Sequence, residues 1–371
     1  MLQMEIRRGI NVLLIFLLIL IFSFVFIVPY NYFEDPDESE NITKNQLTTN
    51  NIFESNINSS LFNSSFFGEA PQDLSGYSLS IRGDVNGDGY DDILIGAPTD
   101  EKDIKNEGRV YLFFGESEIS LNINCSNADV IFCGEESYDA FGSSISTGGD
   151  INRDGYDDIL IGAPDYNSSR GKTYLFFGKA SGWTKEINAL NADISFFGEE
   201  LGDKSGSSVE SVGDINGDEF DDILIGAPSY NSSRGKTYLF FGKASGWTTE
   251  NNCSIADIFF NGENTGDCYG ISVCNAGNVN GDRYDDILIG AEKNNEGGSG
   301  SGQTYLFFGR SNGWSQEMNS YLANASFIGE PPITGYDVSG RKIAYAGDIN
   351  GDGYDDILIG AEGNDEGGSG A

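Results

Sequence analysis

The 371-residue chain carries 58 Asp and Glu against 21 Lys and Arg, a formal charge of −37 that repels nucleic acid and anionic lipid surfaces and argues against both as partners. It has no histidine, which removes histidine-based acid–base catalysis, Ser-His-Asp and Cys-His nucleophiles and His-containing zinc sites. With 25 Phe and 18 Tyr it reads as a folded chain rather than an acidic disordered one, so its carboxylates need a specific use.

The first element is an apolar run over 10–28, broken only by Asn11 and Ser23. At about 1.5 Å per residue such a helix reaches roughly 28 Å, close to the hydrocarbon thickness of a bilayer. Arg7 and Arg8 precede it, and Glu34, Asp35, Asp37, Glu38 and Glu40 follow. The charge asymmetry predicts a transmembrane signal-anchor over 10–28, with residues 1–9 cytoplasmic and the rest extracytoplasmic at the cell surface. A cleaved signal peptide is the alternative; its apolar region is usually shorter, and Phe24 to Val28 offers no small-residue cleavage site. Residues 29–61, rich in Asn, Thr, Ser and acid without apolar periodicity, read as a flexible stalk.

From residue 62 onward the chain repeats itself. The phrase Asp84-Val-Asn-Gly-Asp-Gly-Tyr-Asp-Asp92 returns with starts at Asp150, Asp214, Asn278 and Asp348, each time running into Ile-Leu-Ile-Gly-Ala. Tyr-Leu-Phe-Phe-Gly recurs from Tyr111, Tyr174, Tyr238 and Tyr305. A third phrase recurs at Phe66-Phe67-Gly68-Glu69, Phe132-Cys133-Gly134-Glu135, Phe196-Phe197-Gly198-Glu199, Phe260-Asn261-Gly262-Glu263 and Phe327-Ile328-Gly329-Glu330. Each unit contains four short β-like runs between Gly, Asn, Asp and Ser turns; in the second unit these are 143–146, 158–163, 173–177 and 193–197. Four strands per repeated unit predict an all-β fold, a β-propeller of four-stranded blades, preceded by one transmembrane helix. The Ile-Leu-Ile runs would be inner strands covered on both faces.

Counting Asp84 as position one, side-chain oxygens fall at one, three, five and nine (Asp84, Asn86, Asp88, Asp92), and Tyr90 at position seven offers its backbone carbonyl. Alternate residues of a tight turn aim oxygens at one point, and glycine at position six permits the bend. Such a set suits Ca²⁺, which takes six to eight oxygens, better than Mg²⁺. An EF-hand loop would need Glu where Ile95 stands, so this is a strand–loop–strand site, with Asp91 serving the turn or a supporting shell. One copy alone would read as a hairpin turn, but there are five. The remaining sets are Asp150, Asn152, Asp154, Tyr156 and Asp158; Asp214, Asn216, Asp218, Phe220 and Asp222; Asn278, Asn280, Asp282, Tyr284 and Asp286; and Asp348, Asn350, Asp352, Tyr354 and Asp356. Glu219 at position six of the third set carries a conformational cost. The fourth set, with Asn278 for Asp and Arg283 at position six, is expected to bind calcium most weakly.

These units resemble the FG-GAP repeat of integrin α N-terminal domains. The name fits Phe141-Gly142 followed by Gly162-Ala163-Pro164; elsewhere the Phe is replaced, as in Ser75-Gly76, Ser205-Gly206, Tyr269-Gly270 and Ser339-Gly340. Gly-Ala-Pro persists from Gly96 and Gly226 and becomes Gly-Ala-Glu from Gly290 and Gly360. The resemblance covers residues 62–371 and implies a propeller with calcium loops on one face and a role in adhesion or ligand recognition. Family propellers usually have seven blades, whereas about four and a half are present, so the domain over 62–371 is expected to be C-terminally incomplete. Integrin α chains also carry a C-terminal membrane helix, whereas the anchor expected here is N-terminal.

The five cysteines contain no C-x-x-C pair; Cys125 with Cys133 and Cys268 with Cys274 are near enough for local disulfides, leaving Cys253, and free buried thiols are the equal alternative. Asn-x-Ser/Thr sequons stand at Asn41, Asn58, Asn63, Asn124, Asn167, Asn231, Asn252 and Asn324, of which Asn63 and Asn324 start an outermost strand with room for a glycan. Trp183, Trp247 and Trp314 recur after Phe-Phe-Gly-x-x-x-Gly and read as blade packing rather than a sugar platform. The expected function is a non-enzymatic, membrane-anchored recognition or adhesion module, binding a protein or glycan ligand on the face away from the metals, with room for a partner subunit. A structural spacer or coat component is the alternative, as is a propeller attached to an enzyme domain beyond residue 371.

Overall fold

The computed structural model describes residues 25–27, 64–70, 72–99, 106–117, 122–331 and 335–364. The stalk, the sequons at Asn41, Asn58 and Asn63, and most of the apolar N-terminal run lie outside them. The described chain is all-β, with repeated antiparallel sheets and a few one-turn helical segments. In the second unit Ser144–Ser146, Ile159–Ala163, Lys172–Phe176 and Ile194–Phe197 pair in that order, each within a residue or two of the run read from the sequence. The first, third and fourth units repeat the arrangement, and Lys342–Gly347 with Asp356–Gly360 begin the fifth. These repeated sheets are consistent with a β-propeller.

A fifth strand, which the sequence did not disclose, ties each sheet to the next. Glu186–Asn188 of the second unit runs parallel to Val130–Cys133 of the first, Glu250–Asn252 of the third to Ile194–Phe197, and Glu317–Asn319 of the fourth to Ile258–Asn261. Ser64–Phe67 takes a fourth-strand place ahead of the first unit, pairing parallel with Ile123–Asn124. On its other edge it pairs antiparallel with Val25–Ile27, Val25 facing Phe66 as Thr173 faces Phe196 in the second unit. The expected membrane helix over 10–28 therefore does not hold at Val25–Ile27. Val, Phe and Ile favour the extended form, and an open strand edge offers them hydrogen bonds. Among the described residues no helix is long and apolar enough to cross a membrane.

In the first four units the second strand is buried along its whole length, as Ile93–Ala97, Ile159–Ala163, Ile223–Ala227 and Asp286–Ala291 show, whereas Asp356–Gly360 of the fifth is half-buried. The buried strand's two faces serve different units: Ile159 and Ile161 pack with Leu94, Leu112 and Phe132 of the first unit, while Leu160 packs with Ile223, Ile225 and Tyr238 of the third. A strand sandwiched this way needs apolar residues at every position, hence no alternation. The tryptophans also pack between units: Trp183, Trp247 and Trp314 stand edge-on to Phe132, Phe196 and Phe260, with ring centroids 6.3, 5.8 and 6.2 Å apart. Each indole donates to the backbone carbonyl four residues earlier, at Lys179, Lys243 and Arg310, so the ring is a packing group. All five cysteines are free, so the disulfide alternative falls. Cys125 and Cys253 are wholly buried at equivalent places, 3.4 and 3.5 Å from the Ser75 and Ser205 hydroxyls.

Candidate metal centre

The repeated acidic loops connect the first to the second strand of each unit. In the first, Asp84 Oδ1 accepts the N–H groups of Gly87 and Asp88 at 2.7 and 3.0 Å, and Oδ2 accepts that of Gly89 at 2.7 Å. Asn86 Oδ1 accepts the Asp88 N–H, and Asp88 Oδ1 accepts the Tyr90 N–H. Short polar side chains thus bend the backbone around themselves, gathering positions one, three and five on one turn. Position nine is anchored from the strand side: Asp92 is wholly buried, its oxygens accepting from Val85 at 2.9 Å and Gly115 at 2.8 Å. Asp158, Asp222 and Asp286 repeat that pair of contacts.

The loops of Asp150, Asp214 and Asp348 are built the same way, with Asn152 and Asp154, and Asn216 and Asp218, in the places of Asn86 and Asp88. In the fifth, Asp352 accepts the Tyr354 N–H, while Asn350 turns toward Asp356, itself less buried than its counterparts. The fourth loop is looser at its start. The Asp84 side chain collects three amides, whereas the Asn278 side-chain oxygen accepts the Asp282 N–H at 3.0 Å; Asn280 and Asp282 keep their usual contacts. Position six is left-handed throughout, with φ of +90° at Gly89, +71° at Glu219 and +99° at Arg283. Position four is left-handed too, which the sequence reading missed although glycine fills it at 87, 217, 281 and 351; Arg153 is the exception at +60°.

Burial is the main cause that lifts Asp92 to about 6, Asp158 to about 8 and Asp286 to about 7, and that raises Asp222 well above the usual carboxylate range. The loop's own position-five carboxylate adds to it in each case, as Asp88 does for Asp92. Ionising such a group beside further acids is costly unless a cation joins them. The oxygen-only donor set and this uncompensated negative charge fit a hard divalent ion. Among the described residues, however, no group of three or more His, Cys, Asp or Glu side chains stands close enough together to hold a metal ion. The side chains at one, three and five are turned onto loop amides, as Asp84, Asn86 and Asp88 are in the first loop.

At the opposite end of the strands, the connections from fourth to first strand present Tyr77, Tyr138, Leu201 and Tyr336, each more than 60% exposed. Beneath them the loops are held by buried groups. Glu135 accepts from Lys172 Nζ at 2.7 Å and from the Tyr174 hydroxyl at 3.0 Å, and Lys236 reaches Glu199 at 2.5 Å in the same place one unit later.

The FG-GAP repeat family profile matches residues 75–113, 141–176, 205–240 and 343–371. The fourth unit, with Asn278 and Arg283, contributes no matched segment yet has the same strands. Among curated proteins, integrin alpha-5 of Xenopus laevis is 34% identical over 173 residues, covering 43% of this chain and 15% of that protein. Integrin alpha-IIb of Mus musculus is 32% identical over 177 residues, covering 46% and 16%. Integrin alpha pat-2 of Caenorhabditis briggsae is 27% identical over 244 residues, covering 61% and 18%. The chain thus spans less than a fifth of the length of these relatives. Repeats, strand order and relatives together make this an FG-GAP repeat protein resembling the N-terminal domain of integrin α chains.

Proposed function

We propose that the protein is a non-enzymatic, calcium-stabilised recognition module of the cell surface, binding a protein or glycan ligand through the strand ends away from the acidic loops. The observation that carries this reading is the division of labour between the two ends. One end repeats an all-oxygen acidic turn five times, and the other exposes Tyr77, Tyr138, Leu201 and Tyr336, with buried ion pairs bracing the connections of Tyr138 and Leu201. Exposed tyrosines on braced loops are the usual anchors of protein and glycan recognition. In each loop the side chains at one, three, five and nine would hold Ca²⁺, as Asp84, Asn86, Asp88 and Asp92 would in the first, with the position-seven carbonyl as a further donor. Bound calcium supplies charge neutralisation and rigidity; the loops' own amides orient the carboxylates. The apolar run beginning at Ile10 supports a membrane tether with the repeats outside the cytoplasm.

The test is binding of the full chain to arrays of matrix proteins and glycans, with calcium and with chelator. We expect calcium-dependent binding that Tyr138→Ser and Tyr336→Ser reduce together, while the calcium-induced rise in melting temperature survives. Binding that ignores both tyrosines would reject this face as the recognition surface.

A further inference from the structure

Successive acidic loops are fastened to one another by a contact that recurs four times. Asp157 Oδ2 accepts the backbone N–H of Asp84 at 2.7 Å, and the Asp157 N–H donates to the Asp84 carbonyl at 3.2 Å. The same exchange joins Asp221 to Asp150 (2.7 and 3.4 Å), Asp285 to Asp214 (3.1 and 3.4 Å) and Asp355 to Asn278 (2.8 and 3.4 Å). The eighth residue of each loop therefore grips the first residue of the loop before it at both backbone polar groups. Position seven adds a steric contact: a Cβ on Gly87, Gly217 or Gly281 would lie 2.5, 2.5 or 2.6 Å from the ring of Tyr156, Tyr284 or Tyr354 in the following loop. Where position four is Arg153 instead, the following loop offers Phe220, its ring centroid 6.0 Å from the guanidinium, and Glu219, which is ion-paired with Arg153.

We propose that the five loops form a coupled array, in which a cation bound in one loop tightens binding in the loop before it through the eighth-position aspartate. This rests on the calcium reading above and assigns Asp157, Asp221, Asp285 and Asp355 as positioning residues. The chain of cause is short. The residue after each of them is the ninth-position carboxylate (Asp158, Asp222, Asp286, Asp356), so a cation that fixes that carboxylate also fixes its neighbour. The neighbour in turn orients the first residue of the preceding loop, whose side chain heads that loop's donor set. Linkage makes the coupling reciprocal, so a weak loop lowers the affinity of the loop it grips. The fourth loop, weakened at Asn278, grips the third through Asp285.

Calcium titration of the full-length protein, read by site-resolved hydrogen exchange, separates the loops, because amides in 214–222 and 278–286 report their own midpoints. Asp285→Ala is expected to raise the midpoint of 214–222 about tenfold, the scale of a lost hydrogen bond to a charged group, and, because the coupling is reciprocal, to raise that of 278–286 as well. Asp285→Asn, which keeps an acceptor, should recover most of the loss. Asn278→Asp, which removes no contact, should lower both midpoints. Loops that respond to calcium but shift only at the altered loop overturn the coupling and leave the calcium reading standing. Loops with no calcium response in the parent protein take both down.

Discussion

Arg283 holds φ at +99° and Glu219 at +71°, where the first, second and fifth loops use glycine. A side chain in this region costs about 1–2 kcal/mol, and glycine removes the cost. The exposed ion pair of Glu219 with Arg153 returns only a fraction of it. Arg283→Gly should therefore stabilise the protein by about 1 kcal/mol in urea unfolding even with chelator present. A loss instead would mean that the contact of Arg283 with the Tyr284 ring outweighs the backbone strain. A second residue-scale effect concerns Asp139, buried in the connection from the fourth strand of the first unit to the first strand of the second. Burial lifts it to about 7, against the pull of the Phe141 and Glu136 amides. The folded chain then holds a proton that the unfolded chain has already released, so stability falls as pH rises from about 4 to above 7. Asp139→Asn keeps an acceptor and deletes the charge. In chelator its melting temperature should exceed the parent's near pH 8, and the gap should close toward pH 5, as calorimetry can follow. A gap of equal size at both pH values would mean that the charge is not the cause.

The second strand of each unit shows how a single glycine can govern an element. A Cβ on Gly162 would lie 2.1 Å from the Gly206 carbonyl oxygen of the next unit, and one on Gly226 2.1 Å from that of Gly270. Neither neighbour is a flexible side chain, so Gly162→Ala should cost about 3 kcal/mol by urea midpoint, with an unchanged m-value. A loss under about 1 kcal/mol would show that the sheets can part. The strand itself was legible in the sequence, because a continuous apolar run between turns has few other readings. So were the loops, whose oxygens keep their spacing five times. Glu186–Asn188 was not legible: three residues of mixed polarity have no period, and their partner strand lies in the preceding unit. The grip of Asp157 on Asp84 was hidden for the same reason, since the partners stand 73 positions apart. The left-handed turns at Asn167–Ser169 and Asn231–Ser233 gave no glycine to announce them. At Val25–Ile27 hydrophobicity was read as a membrane signal, whereas those residues serve equally well as a strand.

Across the molecule, the apolar core is divided among interfaces rather than held in one centre. Separate clusters join the first unit to the second, the second to the third, the third to the fourth and the fourth to the fifth. In such an array stability is a sum of neighbour terms, so any force acting along the whole chain is felt at every interface. The excess charge of −37 is such a force, and much of it sits on the acidic loops at one end of the strands. Five divalent ions would cancel ten of those charges and link each loop to the next. The expected consequence is an exchange between salt and calcium. In chelator, the melting temperature of the full chain should rise by several degrees between low salt and about 0.5 M NaCl, because screening relieves the repulsion. With calcium saturating, it should start higher and respond less to salt, since the closest charges are already neutralised. A salt response of the same size with and without calcium would place the destabilising charge elsewhere than the loops, and would weaken the case that they exist to hold cations.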